Sequence, residues 1–450
     1  MRSPQSPPEW QILAKKIAPD RMAEITRQAF AIWQKDSYLH WNDLRRRPTP
    51  EGLTHEEWWY LVKMGRASGK FIPLQDIKGN FCKFTMPDSV IANLHAIDSG
   101  LGSAWNLPDA VRNPSTRNEY IVSTLIQEAI TSSQLEGAAT TREIAKDMLR
   151  SGRKPRDRDE RMIVNNYQTM QQIMALRTQA LTPDLVCALH RSVTEGTLDR
   201  PDAAGRFRRA DELVQVTDLE GTVFHDPPPA AELDSRMELM CAFANGTLPG
   251  NFIHPLIRAI LLHFWLAYDH PFVDGNGRTA RALFYWSMLR QGYSLFEFIS
   301  ISQIILKAPV QYAMAFLHVE TDDADLTYFI LHQTAVVEAA VKALHQYVNH
   351  RKAELQSAEG RLRAVSGLNH RQQMLLAHAL RKPGDAYTIE GHRRTHGVVY
   401  QTARTDLLQL ESLGLLTKNK SRRPWIFHAE KALPAKLDAI AAANPPASIA

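Results

Sequence analysis

Cysteine is scarce. The 450-residue chain has three, Cys82, Cys187 and Cys241, far apart and without metal-ligand spacing. This argues against a disulfide scaffold or a cysteine-based zinc site and for a reducing interior. No long apolar run is present either. The most apolar stretch, Ile257 to Tyr268, is broken by Arg258 and His263 and is too short to cross a bilayer. The first residues, Met1-Arg-Ser-Pro-Gln-Ser-Pro-Pro, lack the apolar core of a signal peptide. Internal repeats are absent. Charge is nearly balanced, with a formal net charge of +5, so nucleic acid is not implied by the total; an anionic partner stays open where the charge is clustered. These absences lead to the expectation of a cytoplasmic protein with no membrane contact.

What is present is the material of a globular protein. Apolar residues make up 44% and charged residues 22%, too apolar for a disordered chain. The length predicts two or three domains. Residues 1–95 read as a small α+β region rich in aromatics. Trp33, Trp41, Trp58 and Trp59 are expected to build a small core, Thr54-His-Glu-Glu57 reads as a capping box, and Phe71 to Met86 alternates like a hairpin about Lys78-Gly-Asn80. Residues 117–350 are mostly helical in pattern. They are interrupted by one predicted hairpin, Glu212 to Thr217 and Thr222 to Phe224, ended by Pro227-Pro-Pro229. In 360–432, three helices and a basic hairpin suggest a winged helix-turn-helix, and 434–450 reads as a flexible tail.

The chemistry is concentrated in His270-Pro-Phe-Val-Asp-Gly-Asn-Gly-Arg278-Thr-Ala-Arg281. An apolar helix ends at His270, and another starts near Asn276. Gly275, Asn276 and Gly277 therefore stand at a helix N-terminus, where free amides and the dipole attract anions and no bulky side chain intervenes. Arg278 and Arg281 share one helix face and can both clamp phosphate oxygens. Asp274 is placed to hold a divalent cation, Mg²⁺, against those oxygens. His270 can take a proton from a hydroxyl at neutral pH. Together these make a phosphoryl- or nucleotidyl-transfer site. Singly, Pro271 and Val273 are only turn residues, and Phe272 anchors the loop in the core.

The string resembles the Fic motif, His-x-Phe-x-(Asp or Glu)-Gly-Asn-Gly-Arg-x-x-Arg, with every fixed position filled. Ile253 to Ala259 and Leu262-His-Phe264 resemble the helix before that loop, and Gly205-Arg-Phe-Arg208 the segment around the family's flap. The resemblance implies a mainly α fold: a Fic-type helical bundle with a β-hairpin flap. It also implies protein adenylyltransfer, AMP passing from ATP to a Ser, Thr or Tyr hydroxyl of a target protein or of the chain itself. His270 would be the general base and Asp274 the Mg²⁺ ligand. Gly275, Asn276, Gly277 and Arg278 would cradle the phosphates, Arg281 would bind the γ-phosphate, and Tyr312 would either form part of the adenine pocket or be a core tyrosine. The Gly275 and Gly277 pair departs from the Doc-like kinases, which transfer a terminal phosphate. The motif does not choose between adenine and other bases.

Ser132-Ser-Gln-Leu-Glu136-Gly137 resembles the family's inhibitory motif. On an inhibitory helix at about 119–137, Glu136 would pair with Arg281, and Ser132 would support the helix or Glu136. The same glutamate leaves AMP removal open as a reverse activity. In the C-terminal region, Gln401, Thr402, Arg404 and Thr405 would face outward from a recognition helix. Arg393, Arg394, Lys418, Lys420, Arg422 and Arg423 would form a basic patch for DNA, or a solvated surface of a protein-docking module. Implied partners are thus a target protein at the flap and DNA at the winged helix; a homodimer stays open. The competing reading is a DNA-binding regulator whose Fic domain senses nucleotide.

Overall fold

The computed structural model describes residues 2–101, 114–217, 221–250, 252–365, 367–381, 384–419 and 425–443. The chain divides into two compact units, Met1–Leu344 and His345–Ala450.

The first unit opens with short helices: α1 (Trp10–Lys16), α2 (Pro19–Thr26), α3 (Ala29–Gln34), α4 (Trp41–Leu44) and α5 (His55–Gly65). The capping box at α5 forms as expected. Thr54 Oγ1 accepts from the Glu57 amide, and Glu57 returns a carboxylate oxygen to the Thr54 amide. Trp41 and Trp59 are buried with Leu13, Ile25 and Leu61, so the tryptophans do build a core; Trp33 alone stays substantially exposed. The hairpin of β1 (Lys70–Gln75) and β2 (Phe81–Phe84) follows, then α6 (Asp88–Leu101).

This N-terminal region is fastened to the later helices by buried charge. Lys63 Nζ lies 2.6 Å from Asp322, both side chains almost fully buried. Tyr328 also donates to that carboxylate, at 2.7 Å. Removing one partner of such a pair strands the other charge without water. Lys63→Ala is therefore expected to destabilise this unit by about 3 kcal/mol. A urea melt showing a loss below about 1 kcal/mol would mean that water or a neighbour compensates Asp322.

The helical body comprises α7 (Pro114–Leu135), α8 (Arg142–Ser151), α9 (Arg158–Leu176), α10 (Pro183–Thr194), α11 (Leu233–Asn245), α12 (Pro255–Asp269), α13 (Asn276–Arg290), α14 (Ile301–Ile305) and α15 (Pro309–Thr321). The long α16 (Thr327–Ala364) follows, and the division between the two units falls within it, ahead of the boundary at 350–360 expected from sequence. Helices α12 and α13 are buried on nearly every face and pack against each other, as helices apolar all round must. Pro255 at the first position and the His254 side chain, which accepts from the Leu256 amide, start α12.

The short hairpin of β3 (Val216–Thr217) and β4 (Val223–His225) crosses this body. It is shorter than predicted. The expected strand from Glu212 does not form there, because Arg206 grips the Glu212 carboxylate in two 2.8 Å bonds and Arg200 approaches it at 2.9 Å. The hairpin's turn at 218–220 lies outside the described residues.

The second unit adds α17 (His370–Arg381), β5 (Ala386–Thr388), α18 (Ile389–His396), α19 (Tyr400–Ser412), β6 (Leu416–Asn419) and β7 (Ile426–Ala429), with sheet order β5-β7-β6. Its core contains Leu376, Ala403, Leu407, Leu410 and Phe427. A flexible tail from 434 was expected, but Leu433–Ala443 is a helix, α20, with Leu433 and Leu437 buried in that core. Leu433, Leu437 and Ile440 recur at helical spacing, a signal hidden by the Ala- and Pro-rich composition around them.

Candidate active site

The turn between α12 and α13 brings the sequence motif together in three dimensions. His270 ends α12 in the left-handed region, φ 46°, an uncommon conformation for a side chain larger than glycine. Its Nδ1 lies 3.1 Å from the Ala267 carbonyl, which can only accept, so Nδ1 carries the proton and Nε2 holds a lone pair. Burial pushes the His270 pKa down to about 4, the Ala267 bond and the Glu136 charge opposing it. At neutral pH the imidazole is an unprotonated base.

The rest of the loop is tied from within. Phe272 is fully buried and stacked on His190, ring centroids 3.7 Å apart. Asn276 Oδ1 accepts from the Phe272 amide at 3.0 Å, and Nδ2 donates to the Phe272 carbonyl at 2.8 Å. The Asn276 side chain therefore holds the loop and is not available to a phosphate; its contribution to an anion is its backbone. Gly275 has φ 84°, and a Cβ there would lie 2.6 Å from a Thr194 methyl carbon, so both backbone angle and space require glycine. No side chain caps α13, which leaves its first-turn amides for a ligand.

The two motif arginines differ in their contacts. Arg278 is buried and donates to the Val193 carbonyl at 2.9 Å. Its Nε and Nη2 have no hydrogen-bond partner among the described residues. Buried guanidinium nitrogens without acceptors suit an anionic ligand. Arg281 is engaged through Nε and Nη2. Its Nε donates to Ser132 Oγ at 2.8 Å, and its Nη2 to the Ser132 carbonyl at 2.9 Å and to Glu136 Oε1 at 2.8 Å. Burial is the largest influence and lowers the Arg281 pKa, but the charge and hydrogen bond of Glu136 together with Tyr312 and Glu128 outweigh it, and the net shift is upward. Ser132 thus holds the arginine rather than Glu136.

Glu136 also lies against the start of α13: a Cβ placed on Gly277 would stand 2.3 Å from its Oε1. The carboxylate occupies the corner formed by an arginine and a helix N-terminus, the place an anion would take. Glu136, His270, Gly277, Arg281 and Tyr312 line one cavity of about 240 Å³, closed by Val216 and Phe224 of the hairpin. Tyr312 is half-buried, and its hydroxyl is bonded to His263 at 2.8 Å. It is a cavity wall more than a core residue.

Asp274 is partly exposed, 3.6 Å from Arg158 and 3.7 Å from Arg278. No cluster of three His, Cys, Asp or Glu able to hold a metal occurs among the described residues. A lone carboxylate beside a phosphate site suits Mg²⁺, which takes one or two carboxylates and completes its shell with phosphates and water.

Several supporting residues were not picked out in the sequence. His190 Nε2 lies 2.8 Å from the Asp274 carbonyl, and its Nδ1 accepts from the Gly205 amide at 3.0 Å. Burial pushes its pKa down to about 4, so it stays neutral and holds the loop. Arg208 donates to the His270 carbonyl at 2.9 Å and to the Pro228 carbonyl. Arg158 reaches Asp274 from α9. Each contacts a residue of the loop more than sixty positions away, and only Arg208 stands in a segment singled out from the sequence.

Part of the chain is similar to known proteins. Residues 180–288 match the Fic/DOC family model. A protein adenylyltransferase Fic of Nematostella vectensis is 35% identical over 119 residues, 26% of this chain and 25% of that protein. One from Drosophila mojavensis is 37% identical over 108 residues, 24% of this chain and 19% of that protein. The chain thus spans a quarter or less of the length of these curated relatives. The crystal structure of a Fic family protein from Desulfovibrio desulfuricans G20 shares the mainly α fold, with TM-score 0.53, 19% identity, and coverage of 77% of this chain and 97% of that one. No helix among the described residues is long and apolar enough to cross a membrane. The turn from His270 to Arg281 lies within the matched residues, and the chain carries a Fic/DOC domain.

Proposed function

We propose that this protein is an autoinhibited protein adenylyltransferase that moves AMP from ATP to a Ser, Thr or Tyr hydroxyl. The observation that carries the reading is the free Nε2 of His270 in the same cavity as Arg281 and Gly277. In the reaction, Nε2 accepts the hydroxyl proton and the oxygen attacks the α-phosphorus. The new O–P bond forms as the bond to the bridging oxygen breaks, and pyrophosphate leaves with that electron pair. The first-turn amides of α13 and Arg278 would hold the phosphates, and Tyr312 would border the base. Asp274 would hold Mg²⁺, which when bound neutralises phosphate charge. The target segment would pair with the edge of the β3–β4 hairpin.

Glu136 is the brake in this reading. By holding Arg281 it denies the outer phosphate its partner. The same carboxylate could position water for AMP removal. The test is mass spectrometry of Glu136→Gly protein incubated with ATP and Mg²⁺: an added AMP supports the reading, and an unmodified chain together with unmodified candidate targets counts against it.

A pH prediction follows from His270. Its depressed pKa keeps the base unprotonated across the neutral range, and removing Glu136 takes away a charge that raises that pKa. The pH profile of kcat/KM for Glu136→Gly should be flat between about pH 6 and 8 and fall only below about pH 5. An acidic limb centred near 6.5, the value of an unperturbed histidine, would show that the base is solvated in the working enzyme.

We read the second unit as a winged helix that could bind DNA. The supporting observation is α19, with Ala403, Leu407 and Leu410 buried and Gln401 and Thr405 exposed. Arg404 and Lys418 both stack on Trp425, 5.6 and 4.5 Å from the ring centroid. Against it, Arg393 and Arg394 are both paired with Glu390, whose charge offsets part of theirs. Lys420, Arg422 and Arg423 lie outside the described residues. A salt-dependent, sequence-specific DNA shift without ATP labelling would favour the regulator over the transferase.

A further inference from the structure

The active-site turn is indifferent to the nucleobase, but the far wall of the cavity is not. Tyr312, Phe316 and Glu320 of α15 stand four residues apart and present one face of that helix to the cavity. With Val216 and Phe224 of the hairpin they make a largely apolar slot suited to a flat heterocycle. The Tyr312 hydroxyl is already bonded to His263. Glu320 is the acidic group on this wall.

Glu320 is held in a defined way. His225, at the end of β4, places Nε2 2.6 Å from the Tyr268 carbonyl and Nδ1 2.8 Å from Glu320 Oε2. The carbonyl can only accept, so Nε2 carries a proton. Burial works against a charged His225, yet the Glu320 carboxylate holds its pKa above the ordinary value, and Nδ1 also donates. Oε2 is therefore occupied. Oε1 has no hydrogen-bond partner among the described residues and remains an acceptor.

The geometry points to Glu320 as the base-reading residue: Oε1 accepts a hydrogen bond from the exocyclic amine of adenine. This rests on the nucleotide-transfer reading and adds the choice of base. A carboxylate with two free oxygens could grip guanine at two adjacent N–H groups. With Oε2 held by His225, only a single-point contact is available, which suits the adenine amine. A buried acceptor left unmatched penalises a base that lacks the donor.

The test uses full-length Glu136→Gly protein with Mg²⁺ and measures Kd by calorimetry for ATP, GTP and purine riboside triphosphate, which lacks the amine. ATP should bind about tenfold more tightly than either. In Glu136→Gly/Glu320→Leu, the side chain carries no acceptor, while His225 keeps its bond to the Tyr268 carbonyl. The ATP advantage over the amine-free analogue should vanish, while that analogue binds at least as tightly as before. Equal binding of ATP and the analogue in the Glu136→Gly protein would overturn the base assignment alone. So would an unchanged preference, or equal loss of all three nucleotides, in the Leu variant. No binding of any nucleotide to Glu136→Gly would overturn the assignment together with the reading it rests on.

Discussion

Glu136→Gly is expected to raise AMP incorporation by about ten- to a hundredfold, corresponding to about 1.4–2.7 kcal/mol of better nucleotide placement. The magnitude follows from where the carboxylate lies. Its 2.8 Å bond to Arg281 is made by an almost fully buried guanidinium, where a charge-assisted bond is little screened. The same oxygen crowds Gly277, at the helix end where phosphate would rest. Removing it frees both groups for one ligand. Arg281 keeps its two bonds to Ser132, so the arginine stays aimed at the site. The cost appears in stability: a buried guanidinium loses its counter-charge, and the melting temperature should drop without nucleotide and recover with ATP. Incorporation no faster than in the unsubstituted protein, with ATP binding intact, would remove Glu136 as the brake.

His270→Ala in the Glu136→Gly background should lower transfer by at least about a hundredfold, the usual worth of a positioned general base. Nucleotide affinity should change little, because under the proposed function the phosphate contacts would come from Arg278, Arg281 and the amides of α13. The substitution also relieves a strained left-handed residue only in part, since alanine at φ 46° keeps most of the penalty. The folded loop is retained by Asn276 and Phe272. The decisive readout is the split between the two constants. A large fall in kcat with unchanged ATP Kd fits a base, whereas parallel loss of binding would make His270 a structural cap of α12.

Most of what short-range physics specifies could be read before the structure. The α5 capping box, the start of α12 at His254 and Pro255, and the turn at 270–275 depend on residues within four positions of one another. The same holds for the inward face of α19, where Ala403, Leu407 and Leu410 repeat at helical spacing. The errors came where a distant partner outweighed a local pattern. Glu212 alternates like a strand residue but is claimed by Arg206 and Arg200, and the supposed tail after 434 is recruited as a helix by a core assembled from α17, α19 and β7.

The active-site turn itself was determined by sequence: its twelve residues carry their own helix ends, glycines and charges, and no distant residue is needed to recognise the chemistry. Only tertiary structure decided how those groups are used. It committed Asn276 to holding the loop, left two nitrogens of Arg278 without a hydrogen-bond partner among the described residues, and set Glu136 on Arg281 across 145 residues of chain. It also brought Glu320 to His225 across 95 residues. Side-chain type and spacing encode what a group can do, but which charges are neutralised and which stay open depends on pairings that form when separate helices pack.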